Sequence, residues 1–104
     1  MLTNNWQPAN EAPDGVEVLA TYKNEYGHRR VVRANWLARY KHEANDPDFY
    51  EFPPDGGEDE GVAYAPEGWY ELIDNWEDYS SIFINYQVDY FCALPTFNEA
   101  EVLK

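Results

Sequence analysis

From Glu43 to Asp78 the chain carries thirteen acidic side chains and not one Lys or Arg. Carboxylates at that density repel one another, so they must be spread in water or set against cationic groups from elsewhere. A segment of this kind cannot build a core on its own. The core must come from the flanks and from whatever apolar residues the segment contributes. At its centre lies "FPPDGGEDEG", Phe52 to Gly61, in which proline and glycine replace any periodic pattern. The stretch from Asp46 to Gly61 reads as a long acidic loop or a pair of loops, pinned where the rings of "FYEF" pack down.

The opposite charge is gathered just before it. Lys23, Arg29, Arg30, Arg33, Arg39 and Lys41 are six of the seven basic residues, and only Glu25 opposes them within that span; the net charge of the whole chain is −13. Nine Tyr, five Phe and four Trp in 104 residues supply large apolar areas that a disordered acidic chain would lack. The length fits one domain over residues 1–104 with a single core. No apolar run is long enough to span a bilayer, and "MLTNNWQPAN" has neither a basic leader nor an apolar stretch, so a cytoplasmic location is expected. The lone Cys92 cannot form an internal disulfide, and its apolar neighbours suit a buried, inert thiol.

Strand signals dominate the remainder. The polar lead with Pro8, Pro13 and Asp14-Gly15 is turn chemistry, with Trp6 as its anchor on the core. Val16 to Tyr22 is β-branched and aromatic, and "KNEYG" follows as a hairpin loop. In "HRRVVRANWLARYKH" period two places Val32, Ala34, Trp36, Ala38 and Tyr40 on one face and Arg33, Asn35, Leu37 and Arg39 on the other. Gly68 to Ile73 is a third strand. "DNWEDYSS" fits either a short helix capped by Asp74 or Asn75, or a turn. Ile82 to Leu94 is a fourth strand that Pro95 ends. The predicted class is α+β: a small, mostly antiparallel sheet of three to five strands with little helix and a long acidic loop.

Both ends of the chain resemble a family of short phage and prophage proteins of unassigned function. Trp6, Pro13, Gly15, Val18 and Leu19 match its opening pattern, and Val88, Phe91, Leu94 and Pro95 its closing one, with Phe91 where the family usually has Trp. The resemblance implies a compact fold containing a sheet and a phage origin. It implies no activity.

Chemical signatures are sparse. His28 and His42 have no partner at metal-ligand spacing. "DGGEDE" lacks the ligand order of a calcium loop, and no phosphate loop or nucleophile motif is present. The reading is therefore a non-enzyme with no cofactor and no metal. Direct nucleic-acid binding is disfavoured, because a protein of charge −13 is repelled by phosphates and its arginines can neutralise its own carboxylates.

The acidic middle has three readings: a solubilising surface, a halophilic adaptation, or a decoy that imitates the phosphates of a nucleic acid. The third, joined to a phage origin, gives the expected function: an inhibitor of a host nucleic-acid-directed defence complex, such as a CRISPR effector or restriction enzyme, that occupies its basic channel. Asp55, Glu58, Asp59, Glu60, Glu67, Glu71, Asp74, Glu77 and Asp78 are the expected contact acids, with Tyr64, Trp69 and Trp76, beside Tyr50 and Tyr70, as aromatic anchors. The expected partner is a basic nucleic-acid-handling host protein, met by a monomer or homodimer. The alternative is a small accessory module that binds another protein or a small ligand through an aromatic face.

Overall fold

The computed structural model describes residues 5–54, 61–74 and 79–95. Among these residues six strands form one sheet: β1 (Gln7–Pro8), β2 (Val18–Lys23), β3 (Arg29–Leu37), β4 (Gly68–Asp74), β5 (Tyr79–Phe83) and β6 (Val88–Ala93). Their order across the sheet is β1-β6-β2-β3-β4-β5, and every pairing is antiparallel. The only helical element among the described residues is a single 3₁₀ turn, Ala9–Glu11.

The expected α+β class is thus overturned, because a nearly all-sheet fold with six strands replaces three to five. One extra strand comes from the polar lead, where Gln7 and Pro8 pair with Phe91 and Tyr90. Proline is tolerated there because the strand is an edge, where a missing N–H costs no ladder bond. The other comes from splitting Ile82–Leu94. β5 starts earlier, at Tyr79, and the chain leaves the ladder after Phe83 to turn through Ile84–Gln87 before β6. Ile84 is buried, and Tyr86 stacks on Tyr22 with ring centroids 5.4 Å apart, so this connection is held to the core by side chains.

Local chemistry explains the first hairpin. Asn24 Oδ1 accepts from the backbone N–H groups of Tyr26 and His28, and Gly27 takes a φ of 78° that closes the loop. β3 alternates as the sequence predicts through Trp36 but ends at Leu37, short of Ala38 and Tyr40. There the Ala38 N–H donates to Asp14 Oδ1 at 2.8 Å, Gly15 N–H donates to the Trp36 carbonyl, and Tyr40 at φ 56° turns the chain away.

One face of the sheet holds the core. Val18, Ala20 and Tyr22 of β2, Val32 and Ala34 of β3, Trp69 of β4 and Phe91 of β6 pack together with Ile84 and Val88. The N-terminal segment closes this face through Ala9 and Ala12, with Trp36 packed alongside. Trp6, the expected anchor, is half-buried.

The flanks of the expected acidic loop are fastened down. The backbone around Tyr64 is held on one side by Glu51, through a reciprocal pair of hydrogen bonds at 2.8 Å, and on the other by His42 and Ala44. Asp55–Glu60, the centre of that expected loop, lie outside the described residues. Among the described residues, a free acidic loop is not what this part of the chain forms.

Candidate functional site

The segment 41–49 runs across the second face of the sheet and leaves a cleft of about 1120 Å³ between itself and β3, β4 and β5. Register decides which side chains reach it. Asn35 of β3 pairs with Tyr70 of β4, and Tyr70 with Phe83 of β5, so these three lie in one row on one face. Leu72 and Ser81 form the next row. Phe49 descends from the crossing segment onto the rings, 5.1 Å from Phe83 and 6.4 Å from Tyr70, and Tyr70 meets Phe83 edge-on at 5.3 Å. Three aromatics distant in sequence therefore make one apolar wall.

Polar groups are set around it. The Tyr70 hydroxyl donates to the Pro66 carbonyl at 2.7 Å, and burial, helped by the nearby Glu51 carboxylate, pushes its pKa up to about 12. Asn35 Oδ1 is buried in the cleft floor without a hydrogen-bond partner among the described residues. His42 and Lys41 also line the cleft, His42 Nε2 lying 2.7 Å from Asp14 Oδ1. The Ala38 N–H and then His42 hold the Asp14 carboxyl below its usual value. Glu43 and Asp46 stand exposed at the same cleft.

The arginines face the protein's own acids. Arg29 bonds Asp89 at 2.6 Å, Arg33 bonds Glu17 at 3.1 Å, Arg39 bonds Glu51 at 3.2 Å, and Arg30 lies 3.6 Å from Glu71. Each pair is at least partly exposed, and the contribution of each to stability is small. Their larger effect is on the surface field, since every arginine of the chain is spent on an internal partner. Glu43, Asp46, Asp48, Glu67 and Asp74 are exposed and form no ion pair among the described residues.

The expected contact residues are spread over the molecule. Glu71 sits on the core side of β4, half-buried beside Arg30; Asp74 ends the same strand; Glu67 precedes it on the surface. Trp69 belongs to the core and leans on Phe91. Tyr64 is half-buried, edge-on to Tyr40. Asp55, Glu58, Asp59, Glu60, Trp76, Glu77 and Asp78 lie outside the described residues. Glu43, Asp46, Phe49 and Phe83 line the cleft without being among the contact residues expected from the sequence. The acid run contained the first two, but the meeting of Phe49 with Phe83 depends on strand register, which no local pattern encodes.

Cys92 is buried, as its neighbours suggest, and burial raises its pKa. Among the described residues, no group of three or more His, Cys, Asp or Glu is arranged to hold a metal, and no helix is long and apolar enough to cross a membrane. Comparison of the chain with protein-family models, with curated proteins and with solved structures finds no match.

Proposed function

We propose that this protein is a non-enzymatic acidic decoy: it binds a basic nucleic-acid-handling protein in the channel a nucleic acid would occupy. In the phage setting that the terminal motifs suggest, the partner is a host defence complex of the CRISPR-effector or restriction type, met in the host cytoplasm. One observation carries the reading. All four arginines are ion-paired with the protein's own carboxylates, while Glu43, Asp46, Asp48, Glu67 and Asp74 stay exposed against the exposed Lys23 and Lys41, so the surface offered to a partner is predominantly acidic. A predominantly acidic surface speeds encounter with a basic groove and rejects acidic surfaces.

The test is capture of partners from bacterial lysate on the tagged protein at low and at high salt, with added DNA or RNA as competitor. The decoy requires capture of a nucleic-acid-handling complex that both salt and nucleic acid displace. Capture indifferent to both, or none, overturns it. A second reading, a small accessory module that binds a protein or ligand through an aromatic face, is favoured by the wall of Phe49, Tyr70 and Phe83 along the cleft. Binding there would be nearly independent of salt.

A further inference from the structure

β5 ends the sheet, and among the described residues nothing pairs with its outer side. Edge strands are commonly protected by a charge, a proline or brevity. β1, the opposite edge, is two residues long and contains Pro8. β5 has the sequence YSSIF, with neither a charge nor a proline, and Ile82 is 53% exposed.

The free backbone groups of this edge can be named. Ile84 N–H donates to the Trp69 carbonyl, and the ladder continues as Phe83 with Tyr70, Ile82 with Glu71 and Ser81 with Leu72. In an antiparallel ladder alternate residues turn both backbone groups to the same neighbour. Ile82 and Ser80 therefore bond toward β4, as Ile84 does, and the N–H and C=O groups of Ser81 and Phe83 point outward. The side chains of the same two residues lie on the face that carries Tyr70 and Leu72. The cleft thus opens directly along the free edge.

We infer that β5 is a strand-addition site, and that its occupant is an extended basic segment of the partner protein. Such a segment would bond through its backbone to Ser81 and Phe83 and place alternate apolar side chains against Phe49, Tyr70 and Phe83, with its cations toward Glu43 and Asp46. Backbone bonds give strand addition its grip, and the pockets for alternate side chains give it selectivity. Charge chooses the occupant. Among the described residues Lys41 is the one exposed cation on the cleft, set against Glu43 and Asp46, and a second copy would bring another net charge of −13 to the same edge. The inference rests on the decoy reading for the basic character of the partner, and it adds the mode of contact.

The test is an NMR titration of the isotope-labelled protein with a capped peptide of alternating Arg and Val long enough to span β5. The expected result is a shift of the Ser81 and Phe83 amides, with affinity at least about tenfold lower when the peptide's alternate backbone nitrogens are methylated. Ser81→Pro removes an outward N–H and should weaken binding to a similar extent; the methylated peptide keeps the test decisive if that variant fails to fold. Absence of amide shifts at β5 overturns the inference. Equal binding of a Glu and Val peptide, or a dimer at micromolar concentration that Ser81→Pro dissolves, overturns the basic occupant. Lysate capture separates the two ideas. Salt-sensitive capture that survives Ser81→Pro sinks the edge contact and leaves the decoy standing. Peptide addition without any salt-sensitive capture sinks the decoy and leaves the edge.

Discussion

The two faces of this sheet are built from similar residues and end in different states. On the core face, Val18, Ala20, Val32, Ala34, Trp69 and Phe91 are covered by short-range neighbours of the strands: the N-terminal segment and the turn between β5 and β6. On the other face, Tyr70 and Leu72 are buried, but Phe49, which helps cover them, is itself 37% exposed and the cleft remains. A sheet has two apolar faces to hide, and here neither is fully closed: the core face keeps a cleft of about 550 Å³ beside Trp36 and Trp69, and the other face the larger one of about 1120 Å³. The acidic segment supplies the partial cover for the second through Phe49, with Pro47 and the buried Ala65 lining the same cleft.

The sharpest way to break this contrast is a pair of truncations. Trp69→Ala should cost about 3–5 kcal/mol and remove most of the cooperative transition in urea, since the ring is buried among core neighbours. Phe49→Ala should cost no more than about 1–2 kcal/mol and leave that transition sharp. Comparable losses would mean that both faces carry the fold equally. Gly68→Ala comes next and couples the faces: Gly68 sits at φ 149°, and an added Cβ would lie 2.6 Å from Phe83 Cε1. Strain of about 1–3 kcal/mol is expected, read as a lower denaturation midpoint, together with displaced Phe83 ring signals.

A smaller effect tests the cleft face alone. The fold holds the Tyr70 phenol neutral, with a pKa of about 12 against an ordinary 10.0, so its contribution is complete below pH 10 and fades as pH rises from 10 toward 12. Tyr70→Phe should cost about 1 kcal/mol through the lost bond to Pro66 and should flatten the alkaline limb of the melting-temperature profile. The smallest effect lies at the acid limb. The Asp14 carboxyl is held below 3.8, so its stabilisation is whole above that pH and is lost as pH falls through the lower folded value. Asp14→Asn should lower the melting temperature slightly at neutral pH and make it less sensitive to acid, the two proteins converging as the Asp14 carboxyl protonates.

These effects follow from features of unequal legibility. Val32, Ala34 and Trp36 alternate plainly, and Gly68–Ile73 is a clean β-forming run, so β3 and β4 could be read directly. Gln7–Pro8 could not, because nothing in those two residues favours a strand; β6 makes them one by pairing with them. Ile82–Leu94 misled because its letters favour strand throughout, while the break after Phe83 is fixed by the burial of Ile84 and the stacking of Tyr86 on Tyr22. The same limit hid the cleft. The acid run announced a charged surface, but the encounter of Phe49, Tyr70 and Phe83 is a product of register and of how the chain crosses the sheet.

The strand order has a consequence for how the molecule comes into being. β2, β3, β4 and β5 follow one another as neighbours, so each can pair as soon as the next is available, but β6 returns past all of them to lie between β1 and β2. During synthesis from the N-terminus, the inner edge of β2 stays bare, and β1 has nothing to join, until Val88–Ala93 has left the ribosome. Pairings of such long sequence separation are slow to close. The nascent chain therefore passes through a stage with a second open edge, on the apolar Val18–Tyr22 stretch, and its strong negative charge is what then keeps neighbouring copies apart.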